Sequence, residues 1–243
     1  MTGTILNVAA ILIGGAIGVL AGNRLPTRMQ ETVMAGLGLM TIVIGISMAI
    51  TSQNILIPLF SVLVGGIIGE LLGIDAGLNQ LGQWLEDRFG HRLGQGKVEG
   101  WSVTRAFVTT SLLYCVGPMT ILGSIQDGLL GDYELLAIKS TLDFFASIPF
   151  AATLGPGVLL SAISVGVIQG GISGLTIWLG SGLSEVTRAT PWVIELTATG
   201  GVLIMGIGLL LLELKQIRVA NLLPAILIAP LIVILLEIAG IGF

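Results

Sequence analysis

Apolar residues run along this chain in blocks of about twenty, cut by short clusters of turn-forming and charged residues. Pro26, the Ser52-Gln53-Asn54 cluster, Gly131-Asp132, Gly155-Pro156-Gly157 and Pro191 mark the cuts. They leave eight segments, 4–22, 33–51, 55–73, 102–125, 133–154, 156–180, 192–212 and 222–240. Each is long enough to cross a hydrocarbon core as a helix. The fourth is interrupted by Gly117-Pro118, which predicts either a re-entrant hairpin or a pair of half-helices. One sizeable polar stretch, 75–101, follows the third segment. Within it Leu78, Leu81, Leu85, Phe89 and Leu93 recur at helical spacing with Trp84 beside them, the pattern of a helix lying in the membrane interface.

Composition agrees with the pattern. Charged residues are 10% of the chain, against roughly 25% in soluble domains. The chain is therefore read as a single membrane domain, 1–243, with the lipid bilayer as its first partner. The net charge of −4 carries little information about other partners, and no basic, aromatic-laced surface for nucleic acid is visible. The single cysteine, Cys115, excludes an intrachain disulfide and is read as a packed small residue. The first 22 residues lack a basic start and a small-x-small cleavage site, so they are read as a retained span. Lone His91 has no second His or Cys beside it, which argues against a metal site. No phosphate-binding Gly-x-x-x-x-Gly-Lys run and no nucleophile spaced with a base is present. Neither a cofactor nor an enzyme activity is expected.

Basic residues fix an orientation. With eight spans, Arg24, Arg28, Arg88, Arg92, Lys97, Arg105, Lys215 and Arg218 fall on one side and Arg188 alone on the other, with Lys139 inside a span. The positive-inside rule makes the first side cytoplasmic and places both termini outside.

The second half of the chain echoes the first. In 54–74 and 221–241, aligned without a gap, Asn54 meets Asn221, Glu70 meets Glu237, Gly73 meets Gly240 and Ile74 meets Ile241. Gly14-Gly15-x-x-Gly18 matches Gly170-Gly171-x-x-Gly174, and Gly38…Gly45 matches Gly201…Gly208. Spans one to three thus correspond to spans six to eight. Five steps separate the two starts, so the halves run in opposite directions. The expected fold is an all-α polytopic membrane protein of about eight transmembrane helices. It is an inverted repeat of two three-helix units, 4–74 and 156–241, with a polar, partly broken helix pair, 102–154, inserted between them.

The inserted pair carries the candidate chemistry. Lys139 and Asp143 share one helical face and Ser147 continues it, with Ser140 and Thr141 alongside. Asp143 lies about 15 Å into its span, near the bilayer centre. An isolated charge there costs about 2.5–3.5 kcal/mol on insertion scales, so the face must meet protein or a wet cavity. Either the two charges only neutralise each other, or Asp143 is a proton or cation site with Lys139 as its counter-charge or as an anion anchor. Span four adds Thr109, Thr110, Ser111, Tyr114, Thr120 and Ser124, and Gly117-Pro118 either opens backbone groups to a ligand or simply kinks the helix. In span six Gln169 needs partners within the hydrocarbon, while the adjacent glycines fit close helix packing. Glu70 and Glu237 are candidate gates or ordinary interface residues.

Lys139-Ser140-x-x-Asp143, Ser147, Leu154-Gly155-x-Gly157, Gln169-Gly170, the early Gly14-Gly15-x-x-Gly18 and the Asn23-Arg24-x-Pro26 turn together resemble an uncharacterised bacterial inner-membrane family of the YqgA/YdfK type. The resemblance covers essentially the whole chain. It implies a multi-pass bacterial inner-membrane protein with a suspected transport role. The expectation is a secondary transporter moving a small ion or solute by alternating access. A homo-oligomeric channel or a non-transporting scaffold are the alternatives, and the glycine-rich faces leave a homodimer open.

Overall fold

The computed structural model describes residues 1–22, 24, 26–93, 102–179, 187 and 189–240. Asn23, Lys97, Arg188 and Ile241 lie outside them, as do the side chains of Phe89, His91, Arg92, Leu93 and Pro118. Among the described residues the chain is all-helical: α1 (Thr2–Gly22), α2 (Thr27–Ala49), α3 (Leu56–Leu72), α4 (Ile74–Leu93), α5 (Val103–Cys115), α6 (Pro118–Leu129), α7 (Glu134–Leu154), α8 (Gly157–Leu179), α9 (Pro191–Leu211) and α10 (Ala225–Ile238). Six helical segments among these residues are long and apolar enough to span a membrane, and up to eight spans result if each of two bent pairs counts as one.

The chain divides into two compact units. The first comprises Met1–Leu37, Asn79–Cys115 and Met119–Val186; the second comprises Gly38–Leu78, Val116–Pro118 and Thr187–Phe243.

In the first unit α1 runs parallel to α7 and antiparallel to α8. Gly3 abuts Leu136, Gly14 abuts Phe144 and Ser147, and Gly18 abuts Ile148 and Ala151. Along α8 the register is reversed, with Gly15 against Leu159 and Gly170 against Thr4. Glycines at 14 and 18 let the α1 backbone reach the α7 carbonyls directly. The α8 glycines aligned with them in the sequence behave differently. Gly171 has open space where a Cβ would go, and Gly170 and Gly174 meet only side-chain tips. The close-packing role expected of the α8 glycines is therefore carried by α1, because α7 lies against α1 through these glycines.

The fourth segment is a pair of half-helices laid along the α7–α8 hairpin. At its start the Ser102 N–H donates to the Leu154 carbonyl over 3.3 Å, and Gly157 abuts Val103 and Ala106. At its end Gly123 abuts Leu136, and Gly128 abuts Ser173 and Thr176. The two half-helices, bent by 64°, thus run from one end of the α7–α8 hairpin to the other. Glu86 of α4 accepts hydrogen bonds from the Thr104 backbone (3.0 Å) and hydroxyl, filling donors that the first turn of α5 leaves open. On α4, Leu85 is buried while Leu81 and Trp84 are exposed.

In the second unit α2 packs antiparallel to α9, with Gly38 against Gly208 and Gly45 against Gly201. Likewise α3 packs antiparallel to α10 and the short turn before it, with Gly65 against Ala225 and Gly69 against the Asn221 carbonyl. Ile57, Ala229 and Val233 form the apolar contact between them, with Trp192, Ile232 and Leu236 around it. Gly73, at φ 63°, ends α3 in the left-handed conformation and lets α4 begin at once.

Candidate functional site

The inward stripe of α7 is Leu136, Lys139, Ser140, Asp143 and Ser147, the i, i+4 progression that the sequence spacing dictates. Lys139 and Asp143 form an ion pair, both at least nine-tenths buried. The Lys139 ammonium also lies 5.9 Å from the centre of the Tyr114 ring, where the aromatic face attracts it. Ser140 turns its hydroxyl back to the Leu136 carbonyl at 2.6 Å and is spent there. One turn beyond Asp143, Ser147 and Tyr114 share a 2.9 Å hydrogen bond, and Ser111 donates to Ser164 at the same distance.

Helix register defines a polar layer around the ion pair. Across the α7–α8 hairpin, residues equidistant from Gly155-Pro156 are about level, which sets Gln169 at about the height of Asp143. Along α1 and α8, Thr4 meets Gly170 and Val8 meets Gly166, so Asn7 falls in the same layer. Asn7 lies within reach of the Asp143 carboxylate but makes no hydrogen bond of regular geometry. Gln169 is completely buried, and neither its amide nitrogen nor its amide oxygen has a partner. It bonds neither to Lys139–Asp143 nor to a neighbouring backbone. The Thr4 and Ser124 hydroxyls, also buried in this unit, lack partners as well. Native interiors pair the great majority of buried polar groups, so these unpartnered groups, Gln169 above all, call for an occupant or a function.

The remaining predicted residues stand elsewhere. Gly117 and Pro118 form the break in the fourth span and belong to the second unit. There Glu70 pairs with Arg218 and accepts from the Asn221 amide at 2.6 Å, while the Asp75 N–H donates to Asn221 Oδ1 at 2.7 Å. Glu237 is exposed near the end of α10, without an equivalent set among the described residues.

Sequence reasoning passed over Asn7, Asp127 and Glu195, all buried. Asp127 accepts from the Gly3 N–H at 3.1 Å and pairs with the Met1 ammonium at 3.0 Å. Glu195 accepts from Ser52 Oγ (2.7 Å) and from the backbone of Gln53 (2.8 Å) and Asn54 (3.2 Å). The available signal was the same in each case: a lone polar side chain inside an apolar helix, which has to face protein.

A helical membrane protein with a buried, mid-span charge pair is the class that fold and site define. By comparison with known proteins, the chain belongs to the DUF554 family, a protein of unknown function, whose family model matches residues 2–234. It is 30% identical over 227 residues to the uncharacterized protein YqgA of Escherichia coli K12, covering 93% of this chain and 94% of the relative. It is 29% identical over 248 residues to the uncharacterized membrane protein YdfK of Bacillus subtilis 168, covering the full length of both. No solved structure matches.

Proposed function

We propose that this chain is a secondary transporter of the bacterial inner membrane that moves a small solute or ion by alternating access. The Lys139–Asp143 layer is its central site. The observation that carries the reading is the coincidence of a buried ion pair and a fully buried, unpartnered Gln169 amide within one unit of apolar helices. A pair kept only for packing needs no unpaired polar group beside it, and apolar residues would hold the same helices together at lower desolvation cost.

Alternating access needs two mirrored halves, and the inverted repeat supplies them in this reading. Its support is that each repeat-related pair of spans packs antiparallel: α1 with α8, α2 with α9, α3 with α10. The α2–α9 contact is also reciprocal. Gly38 and Gly201 are repeat equivalents, as are Gly45 and Gly208, and the contacts join Gly38 to Gly208 and Gly45 to Gly201. That is the self-complementary pattern of a two-fold axis. Glu70, with Arg218 and Asn221, is then a cytoplasmic latch and Glu237 its outer counterpart, with both termini outside.

The test is reconstitution in liposomes, with solid-supported-membrane currents and counterflow of labelled small cations, organic acids, amino acids and uncharged solutes. Saturable movement lost in Asp143→Asn supports the carrier. Large unitary conductance in its place would make the protein a channel, and silence across the panel would favour a scaffold.

A further inference from the structure

We infer that the central layer takes a small net-neutral solute bearing both hydrogen-bond donors and acceptors, not a bare ion. The inference rests on the carrier reading, because it names the cargo of the same site. Two observations carry it, one of charge and one of hydrogen-bond chemistry.

Lys139 and Asp143 already cancel each other. A sodium or chloride ion entering beside them would leave one uncompensated unit charge at the middle of a span, where desolvation is most costly. A zwitterion or an uncharged solute leaves the sum at zero.

The vacant hydrogen-bonding capacity points the same way. Gln169 offers an unpaired N–H₂ and an unpaired carbonyl on one buried side chain. A metal cation would satisfy the amide oxygen and leave the N–H groups orphaned; an anion would do the reverse. Only a ligand with both kinds of group satisfies the amide whole. The Thr4 hydroxyl, unpartnered and packed at Gly170 next along α8, can serve as either donor or acceptor and adds no charge. Solutes of the amino-acid kind and of the carboxamide or polyol kind share this chemistry. They differ in whether the Lys139–Asp143 pair must open. A zwitterion would bring its carboxylate to Lys139 and its ammonium to Asp143, whereas an uncharged solute would leave the pair closed.

The experiment is a thermal-unfolding titration of the purified full chain in detergent. Glycine, L-alanine, acetamide and glycerol are the neutral probes. Sodium chloride, potassium chloride, ammonium chloride and sodium formate are the ionic ones, at matched ionic strength. A saturable rise with at least one neutral probe is expected, roughly 5 °C at a hundredfold excess over Kd. Gln169→Met should abolish that rise without lowering the melting temperature of the ligand-free protein, because it removes an orphaned polar group. Thr4→Val, nearly isosteric, is the second variant should the first fold poorly, and it should weaken the response. Response to glycine but not acetamide, lost in Lys139→Met, assigns the zwitterion; the converse assigns the uncharged solute. A saturable rise with an ionic probe that Gln169→Met removes would overturn the inference, and so would a flat response to every neutral probe. Transport is read separately. Ion-driven currents without neutral-solute binding sink the cargo assignment and keep the carrier, while binding without solute movement does the opposite.

Discussion

A methyl group placed on Gly45 would lie 2.7 Å from the Gly201 carbonyl oxygen, and one placed on Gly201 would lie 2.6 Å from the Gly45 carbonyl oxygen. The two helices therefore touch backbone to backbone, and neither position has room for a side chain. Overpacking of a tight helix contact costs about 1–3 kcal/mol. Gly45→Ala and Gly201→Ala should each lower the melting temperature in detergent. Gly36→Ala and Gly171→Ala, which meet nothing within 4 Å, should leave it unchanged or raise it slightly. Equal melting of all four variants would mean that α2 and α9 are not in this register.

The ion pair on α7 makes a different kind of prediction. Removing one partner of a buried pair strands the other, at a cost of about 3–5 kcal/mol, whereas removing both can be neutral. Lys139→Met and Asp143→Leu should each depress stability, and the double variant should recover most of the loss. Solute movement should not recover. A double variant that is both stable and fully active would leave the pair with a structural role only, and the comparison needs nothing beyond a melting curve and an uptake assay.

At the end of α3, two neighbours of Glu70 should differ in weight. Arg218 and Glu70 are more than half exposed, and exposed pairs are worth about 0–1 kcal/mol. Asn221 is 5% exposed and joins Glu70 to the Asp75 backbone. Asn221→Ala should thus destabilise the protein by about 2 kcal/mol, counting two lost hydrogen bonds of which one is to a charged group. Arg218→Ala should fall within about 1 kcal/mol of the parent. Denaturant titration of both variants decides the ranking, and a larger loss for Arg218→Ala would reverse it.

Much of this architecture was legible because membrane helices announce themselves by length and apolarity. Seven predicted spans correspond to single helices, five of them to within a few residues; the helix of the second starts at Thr27 and not at 33, and the eighth begins as a 3-10 turn at Val219. The fourth divides where Gly117-Pro118 stands. The spacing of Lys139 and Asp143 was enough to place them on one face, since i and i+4 positions meet on any helix. Which residues from other helices complete the layer was not legible, because register between helices is set by packing. Asn7 joins Asp143 only because glycines at 3, 14 and 18 let α1 slide onto α7 at that offset. Glu195 was passed over for a related reason. Its partners are two backbone N–H groups and a serine at 52–54, more than 140 residues away, and backbone donors leave no mark in a sequence.

That carboxylate supplies the last prediction. Glu195 is 1% exposed and holds the turn between α2 and α3 through three hydrogen bonds. Bonds to a charged acceptor are worth about 1.5–3 kcal/mol each, although neighbouring ones do not add in full. Glu195→Ala removes all three acceptor contacts and strands two backbone donors, so a loss of at least about 3 kcal/mol is expected. Glu195→Gln keeps one oxygen for the Gln53 and Asn54 N–H groups and can donate to Ser52, so its loss should be about half as large. The local signature is faster proteolysis at 51–54 in Glu195→Ala, because without its acceptor the turn opens before the rest of the unit. If both variants melt together and the turn stays protected, the carboxylate does not hold it, and the charge of Glu195 has another use.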